Sequence, residues 1–164
     1  MNQMIINTSV CIEASKSETW KYLSDLEGAS AWVEDLVSTK LDDPESRGVG
    51  TIRICEMKNG KKARERITDW LEGSAFTYNV IEAPMMKAAT NSWAIEAVDG
   101  KSLVTSKAVI QFKGSFLGGI LGFIMQPLIY RSMQKYLAAF KYLVENGRPY
   151  EGNPKALGKI PFTC

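Results

Sequence analysis

The sequence predicts an α+β domain in which a curved, seven-stranded antiparallel sheet wraps around one long C-terminal helix. Three observations carry that reading. Seven segments have strand length and β-type patterning and are separated by turn residues. One stretch near the C-terminus switches to apolar residues at every third or fourth position. The chain has 164 residues, 45% of them hydrophobic and 23% charged, which suits a single domain able to bury its own core.

The first strand is read at residues 4–13, with Ile6, Thr8, Val10 and Ile12 on one face and Asn7, Ser9, Cys11 and Glu13 on the other. Ser15 and Glu18 have capping-box spacing and open a short helix carrying Trp20, Leu23 and Leu26. Gly28 and Ser30 break it, and a second short helical turn carries Trp32. Strands are then expected at 36–42, 49–58, 62–71, 75–82, 89–97 and 102–113. The breaks between them carry turn chemistry: Asp43, Pro44 and Gly48; Asn59 and Gly60; Gly73; Ala83 and Pro84; Asp99 and Gly100. Short turns between successive strands imply an antiparallel meander.

Gly114 should end the last strand, and residues 115–146 read as helical. Met125, Ile129, Met133, Tyr136, Phe140 and Leu143 form the apolar stripe. Pro127 lacks an amide donor and should begin a helix or kink a longer one, with a short apolar helix expected before it and about five turns after it. Gly147 suits the residue just past a helix end. Residues 1–147 form the domain, and 148–164, with Pro149, Pro154 and Pro161, form an irregular tail. The sheet's apolar face and the helix stripe must bury each other, while the two short helices cover the opening between the first and second strands.

Composition excludes several classes. Twenty Lys and Arg against 18 Asp and Glu leave no basic footprint for nucleic acid. The chain has no histidine, which removes Ser-His-Asp and Cys-His chemistry and the usual ligands of catalytic zinc. No metal and no cofactor is expected. Cys11, Cys55 and Cys164 are far apart, odd in number and form no CxxC pair, which reads as reduced thiols in a cytoplasmic protein. The N-terminus shows no basic region followed by an apolar run, so no secretory signal is read there. The uncharged stretch 114–130 is marginal in length for a membrane span.

The local motifs also resemble a known family. The residues that carry the likeness are Ile12, Glu13, Ala14 and Ser15 leading into Thr19, Trp20, Lys21, Tyr22, Leu23, Ser24, Asp25 and Leu26. Trp32 follows, then Gly48, Val49, Gly50 and Thr51, then residues 64–70 and the amphipathic final helix. Over about residues 4–146 this ordered set resembles the START-like superfamily, in its bacterial branch of polyketide cyclase/dehydrase and lipid-transport proteins. The birch-pollen allergen fold looks like a distant relative. The resemblance implies a helix-grip fold with a ligand cavity between sheet and helix. It leaves function open, because such families hold cyclases, carriers and receptors.

Alternation assigns the lining of that cavity. Ile52, Ile54, Ala63, Glu65, Ile67, Phe76, Tyr78, Val80, Thr90, Ser92, Ser106, Ala108 and Ile110 are expected to point inward from the sheet. Met125, Ile129, Met133 and Tyr136 are expected to face them from the helix. Glu65 is the one candidate for acid–base chemistry, as a desolvated inward carboxylate. Its alternative is a cross-sheet partner in an Arg or Lys. Tyr78 and Tyr136 either offer a hydroxyl to a ligand or pack with the hydroxyl satisfied. Arg53, Arg64 and Arg66 are read as a solvated outer face.

Three functions follow. The first is binding or transport of a hydrophobic small molecule such as a lipid, quinone, polyketide or isoprenoid. The second is a cyclase or dehydratase without metal, using Glu65 or a tyrosine. The third is an interaction module that uses the apolar segment 114–130, which reads as a membrane-docking flap, a homodimer interface or the buried start of the long helix.

Overall fold

The computed structural model describes residues 3–82, 86–113, 116–157 and 159–164, with the side chains of 116–122, 154 and 155 outside that description. The expected turn at Ala83 and Pro84 and the strand end at Gly114 fall outside the described residues. Strand β1 (Gln3–Ile12) is followed by helix α1 (Lys16–Leu23) and a 3₁₀ turn (Gly28–Ala31). Next come β2 (Leu36–Leu41), β3 (Ile52–Met57), β4 (Lys62–Leu71), β5 (Ala75–Glu82), β6 (Met86–Val98) and β7 (Lys101–Phe112). Helix α2 (Phe116–Asn146) and a second 3₁₀ turn (Pro154–Leu157) complete the chain.

The seven strands form one antiparallel sheet in the order β1-β7-β6-β5-β4-β3-β2. Strands β2 to β7 run as a meander, and β1 closes back beside β7. Turn residues set this register. At the β6–β7 hairpin, Asp99 and Gly100 both adopt positive φ, 49° and 81°, so the two-residue turn matches the twist of the strands it joins. Register shifts within the β2–β3, β4–β5 and β6–β7 pairings bend the sheet around α2. The Ser15 hydroxyl accepts from the Glu18 amide and starts α1, which buries Trp20 and Leu23. Glu72 then ties α1 to the sheet, accepting from the indoles of Trp20 and Trp70, each at 2.7 Å.

Two apolar clusters lie between sheet and helix. The larger joins Val10, Ile12, Trp93, Ile95 and Val104 of the sheet to Leu137, Phe140 and Val144 of α2, with Trp20 and Trp32 at its side. The smaller holds Met4, Ile6, Ala89, Ala108, Ile110 and Phe112, with Val80, Met86, Met125 and Ile129 half-buried against it.

Two expectations change. Helix α2 is continuous through Pro127 instead of breaking there. A lone proline removes one amide donor, and the helix on both sides is long enough to carry the loss. The cysteines are not all free: Cys11 and Cys164 form a disulfide, and only Cys55 is a buried thiol. The 153-residue separation hides the pairing in the sequence. The tail returns to the free edge of β1, where the Cys11 amide donates to Pro161 O and the Ser9 hydroxyl to Phe162 O. Buried Ile160 fixes that return. Gly147 ends α2 as expected, with φ 68° and its amide donating to Leu143 O.

Candidate functional site

Between the two clusters, the inner face of the sheet carries a line of polar side chains. It spans six neighbouring strands, from Thr8 on β1 through Ser106 on β7, Asn91 on β6, Tyr78 on β5 and Glu65 on β4 to Arg53 and Cys55 on β3. Each member sits one pleat repeat from apolar neighbours: Thr8 lies between Ile6 and Val10, Ser106 between Val104 and Ala108, Asn91 between Ala89 and Trp93. The period-two geometry of a strand puts all of these on one face.

The line divides into two linked halves. In the first, the Ser106 hydroxyl donates to Asn91 Oδ1 at 2.9 Å, and Asn91 Nδ2 donates to the Tyr78 hydroxyl at 3.2 Å. In the second, Glu65 Oε2 accepts from Arg53 Nε at 2.8 Å, from Arg53 Nη2 at 2.5 Å and from the Cys55 thiol at 3.5 Å. The Arg53 guanidinium also lies over the Tyr78 ring, 5.1 Å from its centroid, joining the halves.

Burial and this pairing set the protonation states. Burial works against the charge of Arg53, but the opposing pull of its surroundings, Glu65 first among them, outweighs it and holds the guanidinium charged. Burial, and then the Glu65 carboxylate, push the Cys55 thiol up to about 12. The same two causes raise the Tyr78 hydroxyl above its ordinary value. At neutral pH the line therefore offers a neutral thiol, a neutral phenol and a closed ion pair. That is a hydrogen-bonding surface and not an activated nucleophile. Among the described residues, no group of three or more Cys, Asp or Glu gathers as a metal site.

Glu65 does face inward, as Ala63 and Ile67 on the same strand do, but it is the paired alternative that holds. Arg53 is buried instead of solvated, because Glu65 and the Tyr78 ring compensate its charge. Strand β3 is consequently one residue out of the expected phase. Arg53 and Cys55 point inward, and Ile52 and Ile54 lie half-buried on the opposite face. Strand β6 slips in the same way: Asn91 points inward, while Ser92 lies on the outer face, accepting from Thr77, and Thr90 donates to Asn79 beside it. Three consecutive polar residues, Thr90, Asn91 and Ser92, carry no period of their own. Ile67, Phe76 and Ser106 are buried on the inner face, and Tyr78 and Val80 share it half-buried.

On the helix, Met125, Ile129, Met133 and Tyr136 are half-buried toward the sheet. The Tyr136 hydroxyl is satisfied by the Asp35 carboxylate, which turns it away from a ligand role. An open groove of about 520 Å³ crosses β1, β7 and β6 beside the Thr8 end of the line, and Asn7, Ser9, Ser92, Ala94, Thr105 and Lys107, on the opposite face from Thr8 and Ser106, make up most of its sheet lining, with Tyr130 and Phe162 beside them. The residues missed by sequence reasoning, Arg53 and Asn91, had a signal. A hairpin centred on Asn59 sets Arg53 opposite Glu65, and the phase of Trp93 and Ile95 turns Asn91 inward.

Residues 3–145 match the family model described as polyketide cyclase / dehydrase and lipid transport. The chain belongs to this family. Uncharacterized proteins of Mycobacterium bovis and Mycobacterium tuberculosis are 21% identical over 135 residues, 81% of this chain and 80% of each relative. Among solved structures, the di-domain ARO/CYC StfQ from the steffimycin biosynthetic pathway superposes with a TM-score of 0.73 at 10% identity, over 88% of this chain and 51% of that one. A putative uncharacterized protein of Bacillus thuringiensis gives 0.68 at 17% identity, over 85% and 98%. Ara h 8.0201 gives 0.67 at 14%, over 87% and 97%. These likenesses show the helix-grip fold.

Proposed function

We propose that the chain binds an apolar small molecule in the space between the first half of α2 and the inner face of the sheet. The observation that supports this is a contrast in burial. Val80, Met125, Ile129 and Met133 face the interior and are apolar, yet they stay half-buried, whereas Leu137 and Phe140 further along the same helix are fully buried. Apolar side chains held inward but short of close packing leave room and gain from a ligand that fills it. Ser106, Tyr78 and the Glu65–Arg53 pair give that space a polar floor, while Ile67 and Phe76 form its packed wall.

Native mass spectrometry after exposure to a lipid extract of the host tests the reading. The expected result is a retained small-molecule adduct that Ile129→Arg abolishes while the variant stays folded. An adduct equally retained by Ile129→Arg, or no adduct from any extract, would contradict it.

A second reading, a cyclase or dehydratase, is favoured by the Tyr78 hydroxyl, which sits beside this space with a neutral phenol to donate. Glu65 serves it less well as a free base, being held by Arg53. Loss of turnover in Tyr78→Phe, with binding retained, would support it. A third reading rests on the outward side of α2, where Phe123 is 80% exposed, Ile124 57% and Leu128 52%. Contact with a membrane or a second copy through that side would be lost in Ile124→Asp. Among the described residues no helix is long and apolar enough to cross a membrane. The disulfide removes the thiol argument for a cytoplasmic location.

A further inference from the structure

We infer that the end of the domain where α2 begins docks on an anionic lipid surface, with Phe123, Ile124 and Leu128 entering the headgroup region and a rim of basic side chains holding the phosphates. This rests on the outward side of α2 named above as a contact face, and it stands whether or not the cavity is filled. Exposure is the first support. Ile124 and Leu128 are four residues apart and share one side of α2, a side that the half-buried Met125 and Ile129 do not use. Ile81, where β5 reaches the same end of the sheet, is also exposed. Large apolar side chains exposed together mark a contact face.

Charge says what covers that face. Between Asp99 and Glu145 the sequence has six Lys and Arg and no Asp or Glu. Arg131, exposed, follows Leu128 by one helical turn, and Lys113 stands exposed just ahead of α2. At the end of the sheet Lys62 and Lys87 join Lys113 around a groove of about 470 Å³, which Ile81 and Met86 also line. Glu82 lines it too, and lies 3.7 Å from Arg64. Glu34 and Asp35 lie at the β2 edge, where Asp35 accepts from Tyr136. The turns at the opposite end hold Asp42, Asp43, Glu45, Glu72 and Asp99, against Arg47 and a Lys101 that pairs with Glu13. A chain of net charge +2 therefore has one basic end and one acidic end. An anionic bilayer attracts the first and repels the second, which orients the approach.

A second copy fits this face less well. A twofold interface sets a patch against itself, so the basic rim would meet the basic rim. A bilayer accepts both parts at once, the apolar centre below its headgroups and the rim among them.

Sedimentation of the full chain with vesicles tests this. Phosphatidylcholine vesicles containing about a third phosphatidylglycerol are expected to bind about tenfold tighter than phosphatidylcholine alone, and the difference should shrink as salt rises. Lys87→Gln with Lys113→Gln should weaken binding to the anionic vesicles about twentyfold, roughly fivefold for each lysine. Lys16→Gln with Lys21→Gln makes the same change of net charge on α1, which Thr19 and Trp20 tie to the opposite end. That pair should leave the affinity within about twofold. Ile124→Asp should weaken binding to both kinds of vesicle, and none of these exposed replacements should lower the melting temperature. Equal affinity for the two vesicles, or an equal loss in the two lysine pairs, would overturn the inference. Self-association lost in Ile124→Asp, without vesicle binding, would also overturn it while keeping the contact face. Neither vesicle binding nor self-association would remove both, and would leave cavity binding untouched.

Discussion

The two ends of α2 face the same sheet and are treated differently by it. At the C-terminal end, Leu137, Phe140 and Val144 interdigitate with Val10, Ile12, Trp93 and Val104, and Trp32 sits edge-on to Trp93 and tilted against Phe140 at centroid distances of 5.6 and 5.0 Å. At the N-terminal end, Met125 and Ile129 rest half-buried on a smaller cluster, and the sheet beneath them offers small residues, Ala89 and Ala108. Both ends are apolar. The difference lies in side-chain volume and in the polar line between them, which keeps the two clusters from merging. One end holds the fold together, and the other can be spent on a ligand.

The largest effect expected from breaking this division comes from the ion pair on the line. Glu65→Ala leaves Arg53 buried without its partner and should cost about 3–5 kcal/mol in urea unfolding. Replacing both, Arg53→Met with Glu65→Leu, should recover most of that loss, because it removes both desolvated charges at once. A double replacement as damaging as the single one would show that the pair stabilises more than itself. Nearly as large is Phe140→Ala at the packed end, about 3–5 kcal/mol by the same measurement. Ile129→Ala at the open end should fall well below that, near 1 kcal/mol, since little packing is lost there, and its effect should appear in ligand affinity instead. Equal costs at the two positions would erase the distinction.

The ties that hold the frame around both ends contribute less than the packed end does. Cys164→Ser frees the tail from the edge of β1 and should lower stability by about 2–4 kcal/mol, an upper range set by the long loop the bond closes. Ligand affinity should hold if the tail is only a strap. The smallest effect concerns Glu72. Hydrogen bonds from Trp70 and Trp20 hold its carboxyl below the ordinary glutamate value. A depressed folded-state value contributes stability that is present above the unfolded value, about 4.3, and lost as pH falls through the folded one. Tryptophan fluorescence should therefore change below about pH 4 ahead of global unfolding, and Glu72→Gln should remove that early change.

Much of the fold was legible because local chemistry and global pattern agree. Asp99 and Gly100 specify a tight hairpin, Ser15 caps α1, and Gly147 closes α2. The alternation of β1, and of Ser106, Ala108 and Ile110 on β7, fixes their faces without ambiguity. The site was legible only in part, and it failed where polar residues face inward. Arg53 and Asn91 break the rule that a strand's polar side is its wet side, so β3 and β6 were set one residue out of phase. Their compensation comes from other strands: Glu65 for Arg53, Ser106 and Tyr78 for Asn91. No window along one strand contains that information. The disulfide was hidden for the same reason, since the tail meets β1 only after the sheet has closed.

The division between a packed end and an open end is tested most directly by methyl-resolved NMR during titration with the small molecule retained from the host lipid extract. Shifts confined to Val80, Met125, Ile129 and Met133, with Leu137, Leu143 and Val144 unmoved, are the expected result. Shifts at the packed end instead, or at neither end under saturating ligand, would contradict it.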